Sequence, residues 1–116
     1  VGIHTKRLQQ VLAHSWSIQT STKYTTDNPA RGQCGVTALV VHDILGGEIL
    51  KTPLPEGWHF YNKIEGRRMD FSASQFTEMI DYQDIPSDRT EAFADTNKEQ
   101  YRSLRKGVFM QMDEAD

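Results

Sequence analysis

A single cysteine, Cys34, stands in this chain of 116 residues. It excludes an internal disulfide framework and fits a reducing compartment. No apolar run approaches the roughly 18 residues that a membrane span requires. Residues 1–12 carry His4, Lys6 and Arg7 among scattered apolar residues. A signal peptide needs a continuous apolar stretch there, so none is expected and the expected location is cytoplasmic. Basic excess is also missing, because 13 Lys and Arg face 16 Asp and Glu for a formal net charge of −3. The densest basic spots, Arg67-Arg68 and Arg102-Arg105-Lys106, are short and flanked by acids, as solvated faces are. A nucleic-acid binder shows a basic stripe. Neither a nucleic-acid nor a membrane partner is expected.

With four prolines, eight glycines and no internal repeat, the sequence offers no linker. One domain over residues 1–116 is expected, of a size that supports one hydrophobic core. Leu8, Val11, Leu12 and Trp16 recur at helical spacing, predicting a helix over residues 4–16. Residues 17–32 are rich in Ser, Thr, Asn, Asp and Gly and read as a loop, long enough to suggest a function. Residues 34–45 are apolar on nearly every side and closed by Gly46-Gly47, which predicts a buried central helix. Val40-Val41 would suit a buried strand, but the length and the glycines favour helix.

Three strands follow, over residues 48–54, 58–64 and 67–72. Pro53 and Pro55 stop the first, and Glu65-Gly66 makes a two-residue hairpin turn between the other two. Ser72-Ala73-Ser74-Gln75 resembles a capping box opening a short helix with Phe76 and Ile80 on one side. Residues 82–95 carry little signal. Thr96-Asn97-Lys98-Glu99 is a second capping box, before a last helix marked by Tyr101, Leu104 and Val108. The class is α+β with a small antiparallel sheet.

Cys34 falls where this reading places a helix N-terminus, just after Gly32-Gln33. Free N–H groups and the helix dipole at that point favour a thiolate, the nucleophilic form, and can hold an oxyanion. A thiolate also needs a base, and the base an orienting acceptor. If Glu65-Gly66 is the turn, Ile64 faces Arg67, Tyr61 faces Asp70 and His59 faces Ser72. His59, Tyr61, Asp70 and Ser72 then share a face, with His59 and Asp70 as diagonal neighbours. Asp70 can accept the Nδ1 proton of His59 and leave Nε2 to face Cys34. A slip of one residue would separate them. Two other readings stay open: a buried structural Cys34, and a zinc site of Cys34, His59 and Asp70 with His14, for which no short ligand spacing argues.

Arg31-Gly32-Gln33-Cys34 followed by Ala38 resembles the nucleophile segment of the transglutaminase-like core. Trp58-His59-Phe60-Tyr61-Asn62 through Gly66 to Asp70-Phe71 resembles its histidine strand, turn and aspartate strand. The closest overall resemblance is to the small YunG-like bacterial family, from about Trp16 to Phe76. It implies a papain-like fold and a Cys-His-Asp triad at Cys34, His59 and Asp70, with acyl transfer from an amide or ester through a thioester. Hydrolysis, deamidation and transfer share this machinery, and no cofactor is implied. The alternative is a non-catalytic binding module of the same fold. The substrate is an unspecified amide or ester, a peptide or protein among the candidates, and the sequence does not specify the oligomeric state. Gly35 and Val36 stand where papain-type enzymes have a Trp after the nucleophile. No amide has the papain spacing for the oxyanion donor, which leaves Gln33 and the remoter Gln19 as candidates. Trp58 is a candidate for the substrate cleft, and Tyr61 for tuning the site.

Overall fold

Asn62 sets the central packing: its side-chain Nδ2 donates to the carbonyl of Ala38, tying a strand to the middle of a buried helix. A computed structural model describes residues 4–114 of the chain. Helix α1 spans Thr5–Ser15 and α2 Cys34–Leu45. Strands β1 (Glu48–Leu54), β2 (Gly57–Ile64) and β3 (Arg67–Met69) follow. After a 3-10 turn at Ala73–Gln75 come β4 (Ile85–Pro86), α3 (Arg89–Ala94) and α4 (Lys98–Glu114). The sheet is antiparallel, in the order β3-β2-β1-β4. The architecture is α+β, as the sequence predicts.

Residues 34–41 of α2 are all buried. One side packs with Leu8, Leu12 and Trp16 of the first helix and its end, and with Leu104 and Val108 of α4. Another packs on Ile49, Phe60 and Ala92. Within this core the Trp16 indole Nε1–H donates to Thr37 Oγ1 at 2.9 Å, which satisfies the polar edge of a large buried ring.

The hairpin register follows from its turn. Glu65 and Gly66 have φ of 51° and 79°, the two left-handed positions of a type I′ turn. Ile64 therefore pairs with Arg67, Lys63 with Arg68 and Asn62 with Met69. Phe60, Asn62 and Ile64 point toward α2, so alternation sends His59 and Tyr61 to the opposite face. The irregular segment 70–84 covers that face, with Phe76 against His59 and Tyr82 against Tyr61.

Three of the boundaries that differ from expectation have a local cause. Strand β3 ends at Met69, because the Asp70 carboxylate turns back to accept from the Ser72 N–H and pulls the backbone off the ladder. The Ser72 hydroxyl donates to Asp70 rather than capping a helix, so the expected helix shrinks to one 3-10 turn. At the second capping box Asn97, not Thr96, accepts from the Gln100 N–H, and α4 begins one residue later. Pro53 also lies inside β1 rather than stopping it.

Thr37→Val keeps the shape of the core but leaves the Trp16 N–H without an acceptor. The expected outcome is a loss of about 1–3 kcal/mol of stability, read as a lower urea midpoint with an unchanged denaturant slope.

Candidate active site

Three elements converge at one end of the sheet. Because Ile64 and Asn62 pair with β3, the next residue whose backbone faces that edge is Phe60. There β3 has already left, and the N-terminus of α2 takes its place, with the Phe60 N–H favouring the Cys34 thiolate. Cys34 is the first residue of α2, as expected. A cleft of about 430 Å³ opens over it, lined also by His59, Trp58, Phe76 and Asp95.

His59 comes from β2 and is 2% exposed. Its ring lies between Tyr61, stacked at 5.7 Å, and Phe76, edge-on at 4.9 Å. Nε2 lies 2.6 Å from Asp70 Oδ2, and an acceptor there requires the proton on Nε2. Nδ1 then carries the free lone pair. It is buried and has no hydrogen-bond partner among the described residues. The sequence predicts the other nitrogen toward Asp70. Asp70 stands off β2 once the ladder has ended at Met69, so the distal Nε2 bridges the gap.

Asp70 accepts four hydrogen bonds: His59 Nε2 and the Tyr82 hydroxyl on Oδ2, the Ser72 N–H and hydroxyl on Oδ1. Tyr82, in the stretch with little sequence signal, is thus part of the site. Burial, then the hydrogen bond to Asp70, raises its pKa.

A family model described as YunG protein matches residues 4–113. The chain belongs to the YunG family. The uncharacterized protein YunG of Bacillus subtilis (strain 168) is 50% identical over 107 residues, which cover 92% of this chain and 93% of that protein. No solved structure matches the chain significantly.

In this YunG family member the other candidates divide. Trp58 is 47% exposed at the cleft, with Lys51 Nζ 4.3 Å above its ring. Tyr61 lies behind His59, its hydroxyl donating to Asp84 Oδ1 and accepting from the Asp84 N–H. Gln33 is fully buried, its amide accepting from Thr20 and donating to the Ser17 carbonyl, so it braces the loop before α2. Gln19 is exposed beside a separate hollow. Neither amide lines the cleft. His14 lies in α1, and among the described residues no three His, Cys, Asp or Glu are grouped to hold a metal ion.

The residue that sequence reasoning missed at the nucleophile itself is Asp95, the C-cap of α3. Its Oδ2 accepts from the Gly35 N–H at 3.1 Å and from the Cys34 thiol at 3.4 Å. Gly35 has to be glycine, since a Cβ would lie 2.9 Å from the Ala92 carbonyl oxygen and 2.7 Å from the Asp95 Cβ. Asp88-Arg89-Thr90-Glu91, where the Asp88 side chain caps Glu91, was a legible start signal for α3. Nothing local tells that its far end meets Cys34. The expected activated thiolate is not the resting form. Burial first, and then the Asp95 carboxylate, push the Cys34 thiol up to about 12. Asp95 is itself raised by burial, against the pull of Cys34 and of the Gly35 N–H.

A thiol raised in the folded state is protonated there while the unfolded chain has already lost the proton. Its stabilising contribution is present below pH 9, the ordinary value, and falls as pH climbs toward 12. Tyr61 and Tyr82 add to this loss only above their ordinary value of 10. From pH 9 to 10, unfolding free energy should fall by up to about 1.4 kcal/mol per pH unit from this group. Denaturation of Cys34→Ala should show a flatter profile over that interval.

Proposed function

We propose that this YunG family member is a cysteine-dependent hydrolase or acyltransferase acting on an amide or ester, with a papain-like, transglutaminase-like arrangement of Cys34, His59 and Asp70. The observation that carries it is the buried, unpartnered Nδ1 of His59, a residue that lines the cleft together with Cys34, with Nε2 fixed by Asp70. A merely structural buried imidazole has both nitrogens satisfied. A ring held at one nitrogen and bare at the other is arranged as a proton acceptor.

In this reading His59 Nδ1 takes the Cys34 proton as the sulfur attacks the carbonyl carbon. The tetrahedral intermediate collapses to a thioester, and the leaving amine or alcohol takes the proton back from His59. Water or an amine then repeats the sequence on the thioester. Asp70 fixes the ring and balances the imidazolium, as the carboxylate of the serine triad does. Trp58 offers the substrate a flat apolar wall.

The protonated resting thiol favours a second reading, a binding module of the same arrangement whose Cys34 is structural. p-Nitrophenyl acetate separates the two. Acyl transfer predicts acetylated Cys34 by mass spectrometry, formed about 10²–10⁴-fold more slowly in His59→Ala and at an intermediate rate in Asp70→Asn. Acetylation at equal rates in the wild type and His59→Ala would sink the catalytic reading.

A further inference from the structure

We infer that Asp95 is a positioning residue of this site: its carboxylate binds the Cys34 thiol and occupies the Gly35 N–H, and the carbonyl oxygen of the substrate displaces it. The inference rests on the acyl-transfer reading. One carboxylate oxygen reaches two groups at once, the Gly35 N–H at 3.1 Å and Cys34 Sγ at 3.4 Å. The first N–H groups of a helix are where an oxyanion from attack by Cys34 is best stabilised. Gln33 and Gln19 contribute no amide to the cleft; one residue on from the sulfur the helix offers the Gly35 N–H, and Asp95 already fills it. His59, a lining residue of the same cleft, keeps a buried Nδ1 without a partner, and that is the independent sign that a ligand belongs there.

The charges around Asp95 allow its release. Lys23, in the loop before α2, attracts it. Arg31 of the same loop and Glu56 of the β1–β2 turn line the cleft, and Asp70 acts on Cys34 from behind the histidine. Asp95 terminates the six-residue helix α3 and precedes the turn into α4. A side-chain rotation toward Lys23 therefore frees the Gly35 N–H without moving a strand. As the carboxylate leaves, the charge that disfavours the thiolate leaves with it. The Cys34 proton passes to His59 Nδ1 and the new C–S bond forms. The ester C–O bond breaks, and p-nitrophenolate departs when p-nitrophenyl acetate is the probe.

The test uses the full chain as wild type, Asp95→Asn and Asp95→Ala, each confirmed folded by circular dichroism. Iodoacetamide reads the thiolate, and p-nitrophenyl acetate reads thiolate and carbonyl site together. Asp95→Asn removes the charge but keeps an oxygen for the Gly35 N–H, whereas Asp95→Ala removes both. Both variants should alkylate faster at neutral pH, by about tenfold for each pKa unit the thiol falls. Acetylation should rise further than alkylation in Asp95→Ala and only in step with it in Asp95→Asn. Superimposed alkylation profiles for the three proteins overturn the hold on the thiol. Acetylation that rises only in step with alkylation in Asp95→Ala overturns the displacement. Absence of acetylation in all three, with shifted alkylation profiles, overturns the acyl-transfer reading and the displacement while upholding the hold.

Discussion

Everything in this fold is arranged around the burial of α2. Its first eight residues are all buried, so neighbours must surround it: α1 and α4 on one side, β1 and β2 on another, Ala92 of α3 beside them. A helix buried this completely has no freedom to slide, because a shift of one residue would break the Asn62–Ala38 and Trp16–Thr37 bonds together. Fixing its length fixes its N-terminus. The sulfur of Cys34 thus arrives at the edge of β2 as a consequence of core packing, with no separate device to aim it.

The competition at that N-terminus decides the resting chemistry. A helix terminus contributes roughly 0.3–1 kcal/mol to an anion, whereas a neighbouring like charge moves a pKa by about 1–3 units. Burial is the larger cause of the raised thiol, and Asp95 at 3.4 Å adds to it, so that together they win over the dipole. Thiolate and carboxylate compete for the same N–H groups, and the carboxylate holds the one on Gly35.

What the sequence made legible is what local rules govern. Glu65-Gly66 set a type I′ turn, and the turn set the register that pairs Asn62 with Met69, the last rung before Asp70 leaves the ladder. Gly46 after a stretch apolar on nearly every side marked the end of α2. Local rules failed where a side chain had a better distant partner. Ser72 looked like a helix cap and was taken by Asp70. The choice of ring nitrogen depended on where β3 stops, which Asp70 itself determines. Asp95 and Tyr82 reach Cys34 and Asp70 across 61 and 12 residues, distances that no period or motif reports.

Segment 72–84 is tied down mostly by side chains. Tyr82 binds Asp70, Thr52 bridges the Asp81 carbonyl and the Gln83 N–H, and Tyr61 and Arg68 grip Asp84. Such a strap can detach locally at far less free energy than global unfolding, and amide exchange would record it as an early-opening unit. Asp70 is both its anchor and the partner of His59. Strap order and imidazole orientation are therefore thermodynamically linked: a ligand that tightens residues 72–84 also holds the ring, and one that loosens them releases it.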